Sequence, residues 1–302
     1  MKRLPQIALL PDGKRLHLQD GPIDLVIGAK GSENEVRAAY EAAARRFNGL
    51  LDELCEELVE LRKAAEPACS ALSGVVARRM YAAVAPFAAG HFITPMAAVA
   101  GSVAEEILGA MLDAARLDRA YVNNGGDIAL HLTGAEQFAV GLMDRPDHRG
   151  VMQTISIEAG DPARGIATSG RRGRSFSLGI ADAVTVLAKT ASQADAAATI
   201  IANAVDLPGH PGIVRLPANE LQPDSDLGGR LVTRGVGALG ESEIDDALSA
   251  GVGRAQQLLA AGLIEGAALR LLGETAVVGS TGIRARALPA FLGSAPAGVA
   301  RV

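Results

Sequence analysis

Tryptophan is absent, and aromatic side chains of any kind are scarce: six Phe and three Tyr in 302 residues. A core of this chain must therefore be built from aliphatic residues and alanine. A site that depends on stacking a base or a sugar has few residues to draw on. Cysteine is almost as rare. Cys55 and Cys69 have no Cys-x-x-Cys spacing, which disfavours a disulfide framework or a structural zinc site and leaves two reduced, packed thiols. Long hydrophobic runs are missing as well. Behind Lys2 and Arg3 the apolar stretch Ile7–Leu10 is too short for a signal-peptide core, and no 18-residue uncharged apolar segment reads as a membrane span. A cytoplasmic protein with no membrane partner is expected. A basic excess is lacking too: 29 Lys and Arg face 34 Asp and Glu, for a net charge of −5. That balance excludes a general nucleic-acid binder. The five histidines (17, 91, 131, 148 and 210) show no metal-ligand spacing, and only His91 lies near a suspected site. The chain has neither the Gly-x-x-x-x-Gly-Lys-Ser/Thr phosphate loop nor a convincing Gly-x-Gly-x-x-Gly after a strand.

What is present suffices for a large core. Apolar residues make up 49% and charged residues 21%, which is a globular and not a disordered composition. No linker and no fixed-period repeat divides the chain. It reads as one domain over residues 1–283, followed by an Ala/Pro/Gly/Arg-rich tail, 284–302, expected to be mobile. Residues 5–28 read as a strand pair about the turn Pro11-Asp12-Gly13. Ser32 and Glu35 fit a capping box at the start of a long helix. Its apolar stripe Phe47, Leu51, Leu54, Leu58 and Leu61 is a packing face or, in a homo-oligomer, a seam. Thr94-Pro95 starts a second helix running to about Arg116. Its first turns hold Ala97, Ala98, Ala100, Gly101, Ser102 and Ala104, small residues that permit close approach of a backbone or a ligand. Residues 119–158 read as a β-meander, 165–175 as a Gly/Arg-rich loop, 183–187 as a strand and 192–205 as an apolar helix. Ser242 and Asp245 fit the start of a helix to about Ala261, and Ala276–Val278 a closing strand.

Three segments carry polar chemistry. Asp195, Thr199 and Asn203 recur every four residues, so they form one polar stripe on a helix otherwise made of Ala and Ile. Burying such groups without partners costs roughly 1–3 kcal/mol each. A hard cation would satisfy a carboxylate and a hydroxyl. Alternatively, Asp195 completes a capping box with Ser192 while Thr199 and Asn203 bond to backbone. The second segment, Thr168–Ser175, gathers two Gly, three Arg and three hydroxyl residues. Its backbone N–H groups and guanidinium forks suit phosphate oxygens, and a solvated basic loop is the other reading. The third, Asn123-Asn124-Gly125-Gly126-Asp127, is a tight hairpin turn with more polar side chains than a turn needs.

Taken in order, Pro95–Gly101, Val122–Asp127, Ala167–Gly170 and Asp195–Thr199 resemble the ApbE superfamily, the FAD:protein FMN transferases. The pattern Ser177 to Val186 is similar to an uncharacterised cytoplasmic branch of it. The resemblance implies an α+β fold, an antiparallel sheet with flanking helices. It also implies a flavin nucleotide, FAD or FMN, in a cleft near Asn124, Gly125, Gly126 and Asp127 and the loop Thr168, Ser169, Gly170, Arg171, Arg172 and Arg174. Mg²⁺ would be held by Asp195 and Thr199. The implied chemistry is attack of a protein threonine hydroxyl on the FMN phosphate of FAD, with AMP leaving. One departure stands out. Where the transferases carry His-Ile-x-Asp-Pro-x-Thr-Gly, this chain has Ser175–Asp182, without His or Pro. Asp182 is the candidate replacement for the lost catalytic group. Two functions follow: an Mg²⁺-dependent enzyme acting on a flavin nucleotide or a related phosphate or pyrophosphate compound, or a non-catalytic flavin- or anion-binding partner in a cytoplasmic metabolic complex.

Overall fold

The computed structural model describes residues 4–67, 72–143 and 151–279, with the short segments 283–284 and 299–301. Cys69, His148 and most of the 284–302 tail expected to be mobile lie outside the described residues.

The N-terminal segment folds as three strands, not two: β1 (Gln6–Leu9), β2 (Leu16–Asp20) and β3 (Ile23–Lys30). Asp12 sets the first turn by accepting the Lys14 and Arg15 N–H groups at 2.9 and 3.0 Å. Leu16, Leu18, Ile23, Leu25 and Ile27 alternate with more exposed residues and bury one sheet face. Helix α1 (Glu33–Phe47) begins where Ser32 Oγ accepts the Glu35 N–H. Only half of the capping box forms, because the Glu35 carboxylate accepts the Arg116 N–H at 2.7 Å. The stripe that reads as one long helix is three. The chain turns at Gly49, and α2 (Leu50–Glu56) and α3 (Leu58–Leu61) follow. Phe47, Leu50, Leu54 and Leu61 are buried nonetheless, so the stripe packs inward. Cys55 is exposed and free, not packed.

Helix α4 (Val75–Val84) leads through two 3₁₀ turns into α5 (Val99–Ala114). Thr94 does not cap with its side chain; its hydroxyl donates to the Asp226 carboxylate. Residues Pro95–Ala114 are, by length and composition alone, apolar enough to cross a membrane. Here Gly101, Val103, Ala104, Ile107, Leu108 and Met111 are buried in the core. Strands β4 (Arg119–Asn124), β5 (Asp127–Leu132), β6 (Gln137–Met143) and β7 (Val151–Glu158) follow; they form two hairpins in separate sheets and not the expected meander, because β5 pairs with a later strand and not with β6. Part of the Gly/Arg-rich segment is extended, as β8 (Gly165–Ser169), because Ile166 and Ala167 find buried places in the sheet. Then come β9 (Ala183–Ala188), α6 (Ala191–Ala204), β10 (Ile213–Pro217), α7 (Ala218–Leu221) and β11 (Leu231–Val236). Helix α8 (Glu241–Ala260) starts at Gly240, whose N–H meets Glu243 at 2.7 Å, and not at Ser242 or Asp245. Strands β12 (Gly266–Leu271), β13 (Glu274–Val278), β14 (Ile283–Arg284) and β15 (Val299–Arg301) complete the chain.

Nine strands make one antiparallel sheet in the order β1-β2-β3-β4-β5-β8-β9-β12-β13, with helices packed against it: an α+β fold. Strands β6 and β7 leave that sheet for a smaller one with β14 and β15, and β10 pairs with β11 alone. Two main apolar clusters divide the molecule. One joins β2–β4 to α1, α4 and α5; the other joins β8, β9 and β12 to α6 and α8. Between them the sheet is thin. Strand β5 meets β8 at only two paired positions, Ile128 with Ile166 and Ala129 with Gly165.

Candidate active site

The polar residues gather at that thin seam. The β4–β5 turn pairs Asn124 with Asp127 across Gly125 and Gly126, whose φ angles are +67° and +117°. Positive φ at both central positions is the hairpin geometry that glycine adopts without strain. Asn123 Oδ1 accepts the Gly126 N–H at 2.8 Å, fixing the turn from inside. Buried Asn124 donates from Nδ2 to the Ala100 carbonyl at 3.2 Å, tying the turn to the start of α5. Asp127 Oδ1 accepts the Thr168 N–H of β8 at 3.1 Å. The Thr168 hydroxyl in turn shares a 2.8 Å hydrogen bond with that of Thr185 on β9.

Asp195 approaches from the other half. It does not box with Ser192, because Thr190 caps α6 by accepting the Gln193 N–H at 3.3 Å. The Asp195 carboxylate instead accepts the Gly101 N–H at 3.0 Å, and the Ala100 amide also bonds to it. It thus satisfies the free amides at the start of a different helix. That contact requires α5 and α6 to touch. A Cβ on Gly101 would collide with the Ala191 carbonyl, so the small-residue start of α5 serves helix-to-helix approach as well as the site. Half-buried Thr199, one turn beyond Asp195, has no hydrogen-bond partner among the described residues. Asn203, the third member of the stripe, lies away from the pair. Its Oδ1 accepts the Leu178 N–H at 3.0 Å.

Asp127 and Asp195 act on each other electrostatically. Burial raises Asp127 to about 7, against the opposing effects of the Thr168 N–H and the Arg174 charge. Burial, then the negative charge of Asp127, raises Asp195 well above the carboxylate range, against the two helix amides. Two carboxylates facing one place without full compensation form a hard, all-oxygen donor set with the Thr199 hydroxyl nearby. Such a set suits Mg²⁺ and not a softer metal. No group of three or more His, Cys, Asp and Glu occurs among the described residues, so further ligands would come from hydroxyl, backbone and substrate oxygens.

Residues 7–277 match the profile of a protein family described as "AbpE bacteria". The chain belongs to this family. Its motifs were identified above as resembling the ApbE superfamily. Among relatives, a UPF0280 protein of Methanococcoides burtonii is 38% identical over 154 residues, covering 48% of this chain and 58% of that protein. The UPF0280 protein MK0206 of Methanopyrus kandleri is 42% identical over 129 residues, covering 42% and 48%. The chain thus spans about half the length of the curated relatives it matches. Among solved structures, the apo form of Pseudomonas stutzeri flavinyl transferase ApbE is 10% identical, with a TM-score of 0.47 over 91% of this chain and 95% of that one.

In this AbpE-family chain the Gly/Arg-rich loop splits by role. Arg171 and Arg172 pair with Asp182 Oδ1 at 2.5 and 2.9 Å, and Asp182 Oδ2 accepts the Leu272 N–H at 2.7 Å. Asp182 is 3% exposed. Both its oxygens take part in the loop's own contacts. It ties the loop to the turn after β12, where Leu272 is held at a φ of +48°. The same knot takes one donor each from Arg171 and Arg172. Gly170 lets the loop fold back against the backbone of Ala181 and Asp182, 3.0 and 2.7 Å from where a Cβ would stand. Ser169, next to Thr168 on β8, points to the opposite face of the sheet. Exposed Arg174 returns to the site and lies against Gly125. The sequence reading passed over Thr185 and the Ala100 and Gly101 amides. Thr185 carried a signal, a hydroxyl inside an otherwise apolar strand. The amides had only the small residues around them.

Proposed function

We propose that this protein binds a flavin nucleotide, or a related phosphate or pyrophosphate compound, together with Mg²⁺, and acts on its phosphate group. The observation that carries this reading is the pair Asp127 and Asp195, half-buried at the hairpin turn and on α6, tied to neighbouring backbone at Thr168 and Gly101 and left short of positive charge. The residues present fit the metal. Asp127 and Asp195 would hold it, with the Thr199 hydroxyl beside them. When bound, Mg²⁺ supplies neutralisation of pyrophosphate charge, the main electrostatic need of phosphoryl chemistry. The chain's own residues do the rest. The first amides of α5 orient Asp195, the Thr168 N–H orients Asp127, and Asn124 locks the hairpin to α5. Arg174 offers the guanidinium not consumed by Asp182. The partner is then a small anionic molecule, not nucleic acid or a membrane, in a cytoplasmic setting.

One observation favours the second reading, binding without turnover. Asp182, which replaces the missing His segment by position, is held in its knot by Arg171, Arg172 and the Leu272 N–H. Calorimetry with FAD, FMN and ADP, each with and without Mg²⁺, tests the shared claim. Binding that requires Mg²⁺ and disappears in Asp195→Asn is expected. No binding by wild type refutes both forms. Incubation with FAD, Mg²⁺ and acceptor protein separates them: release of AMP marks the transferase, and unchanged bound FAD marks the binder.

A further inference from the structure

The loop between β8 and β9 brings three arginines to the site, and the structure treats them unequally. Arg171 and Arg172 are held by buried Asp182. The loop is pinned again at Leu178, whose N–H donates to Asn203 and whose carbonyl accepts from Arg215. Between these pins Gly173, Arg174 and Ser175 are exposed. Arg174 has no ion-pair partner in contact among the described residues, yet its positive charge is felt at Asp127. Its guanidinium occupies the space that a side chain at Gly125 would fill, so that a Cβ there would overlap it. The hairpin thus provides, through a glycine it needs for its turn, a seat for a cation two residues from Asp127.

We propose that Arg174 is an exchangeable counter-ion: its guanidinium sits on Gly125, in the hairpin turn that ends at Asp127, in the free protein, and moves to a phosphate oxygen when a metal-bound nucleoside diphosphate enters. The inference rests on the metal–nucleotide reading above and deepens it. A guanidinium presents two parallel donors that match two phosphate oxygens, which a lone carboxylate oxygen does not use fully. A cation seated near Asp127 also opposes the entry of a second cation. Arg174 therefore resists bare Mg²⁺ and favours Mg²⁺ that arrives with phosphate. This makes it a specificity-determining residue, selecting phosphate-bearing ligands over metal alone.

The experiment is calorimetry of wild type, Arg174→Gln and Arg174→Lys with Mg²⁺ alone and with ADP in saturating Mg²⁺. Thermal melts confirm that each variant is folded, as expected for an exposed loop residue. Arg174→Gln is expected to bind Mg²⁺ alone several-fold more tightly and ADP about tenfold more weakly, the size of one charge-assisted contact. Arg174→Lys keeps the charge but loses the fork, so it holds wild-type affinity for Mg²⁺ alone and falls between the two for ADP. Unchanged ADP affinity in Arg174→Gln overturns the proposal, as does a loss for ADP with no gain for Mg²⁺ alone. If wild type binds neither Mg²⁺ nor ADP, the metal–nucleotide reading fails and takes this one with it.

Discussion

The carboxylate pair makes stability depend on pH in a direction opposite to that of ordinary salt-bridged carboxylates. Asp127 is raised from 3.8 to about 7. Below pH 3.8 it is protonated in both folded and unfolded chains, and its burial carries no titration cost. Between pH 3.8 and 7 the folded chain keeps a proton that the unfolded chain has lost, so stability falls as the pH rises. Above 7 the cost is complete, at about 4 kcal/mol if no solvent screened the group. Between pH 5 and 8 the fall is about 3 kcal/mol, or roughly 6–12 °C in Tm. Asp195, also raised by its burial and by Asp127, adds to the fall in the same direction. Thermal melts in EDTA from pH 5 to 8.5, at constant ionic strength, measure it. Mg²⁺ binds only the folded pair, so it should raise Tm most at pH 8 and least at pH 5. Asp127→Asn retains an acceptor for the Thr168 N–H while removing the charge, and should flatten the profile. If the wild-type profile in EDTA superimposes on that of Asp127→Asn, the two carboxylates do not share a desolvated site and the reasoning is wrong.

Other substitutions test the supports of the site. Gly101→Ala drives a Cβ into the Ala191 carbonyl; a loss of about 1–3 kcal/mol in urea denaturation, with weakened Mg²⁺–ADP binding, is expected. Asp182→Ala leaves the partly exposed Arg171 and Arg172 without a counter-charge and the Leu272 N–H without its acceptor, and should cost about 1–3 kcal/mol by the same assay; wild-type stability would dismiss the knot. Asn203→Ala orphans the Leu178 N–H and should cost about 1 kcal/mol. It should also speed tryptic cleavage after Arg174, read by mass spectrometry, while leaving cleavage elsewhere unchanged.

Parts of this site are legible in the sequence because they obey local rules. Asn-Gly-Gly-Asp announces a hairpin whose centre needs positive φ. A carboxylate on an Ala/Ile helix announces a partner, since burying it alone is too costly. Much of the strand-and-helix order follows from similar patterns, whereas the antiparallel α+β class comes from the family resemblance. What local rules cannot convey is who meets whom. That Asp195 caps α5, and not its own helix, depends on α5 and α6 crossing at Gly101. That Asp127 meets Asp195 depends on β5 lying beside β8, after β6 and β7 have left for another sheet. The Arg171–Asp182 knot is close in sequence, but its third member, Leu272, is 90 residues away. The long helix failed at Gly49 because an apolar period continues through a turn as readily as through a helix when the core beneath is the same.

The thin seam has a mechanical consequence. Strands β5 and β8 share two paired positions, while Asp127 and α5 stand on one side and Thr168 and Asp195 on the other. An occupant held by both carboxylates therefore acts as a rivet through a joint. It ties the β4–β5 hairpin and the start of α5 to β8 and α6 at the place where the sheet ladder is shortest, adding to the contact that α5 and α6 already make at Gly101. Amides along β5, β8 and the first turn of α5 should then exchange with solvent more slowly when the site is filled, while those deep in either cluster hardly change.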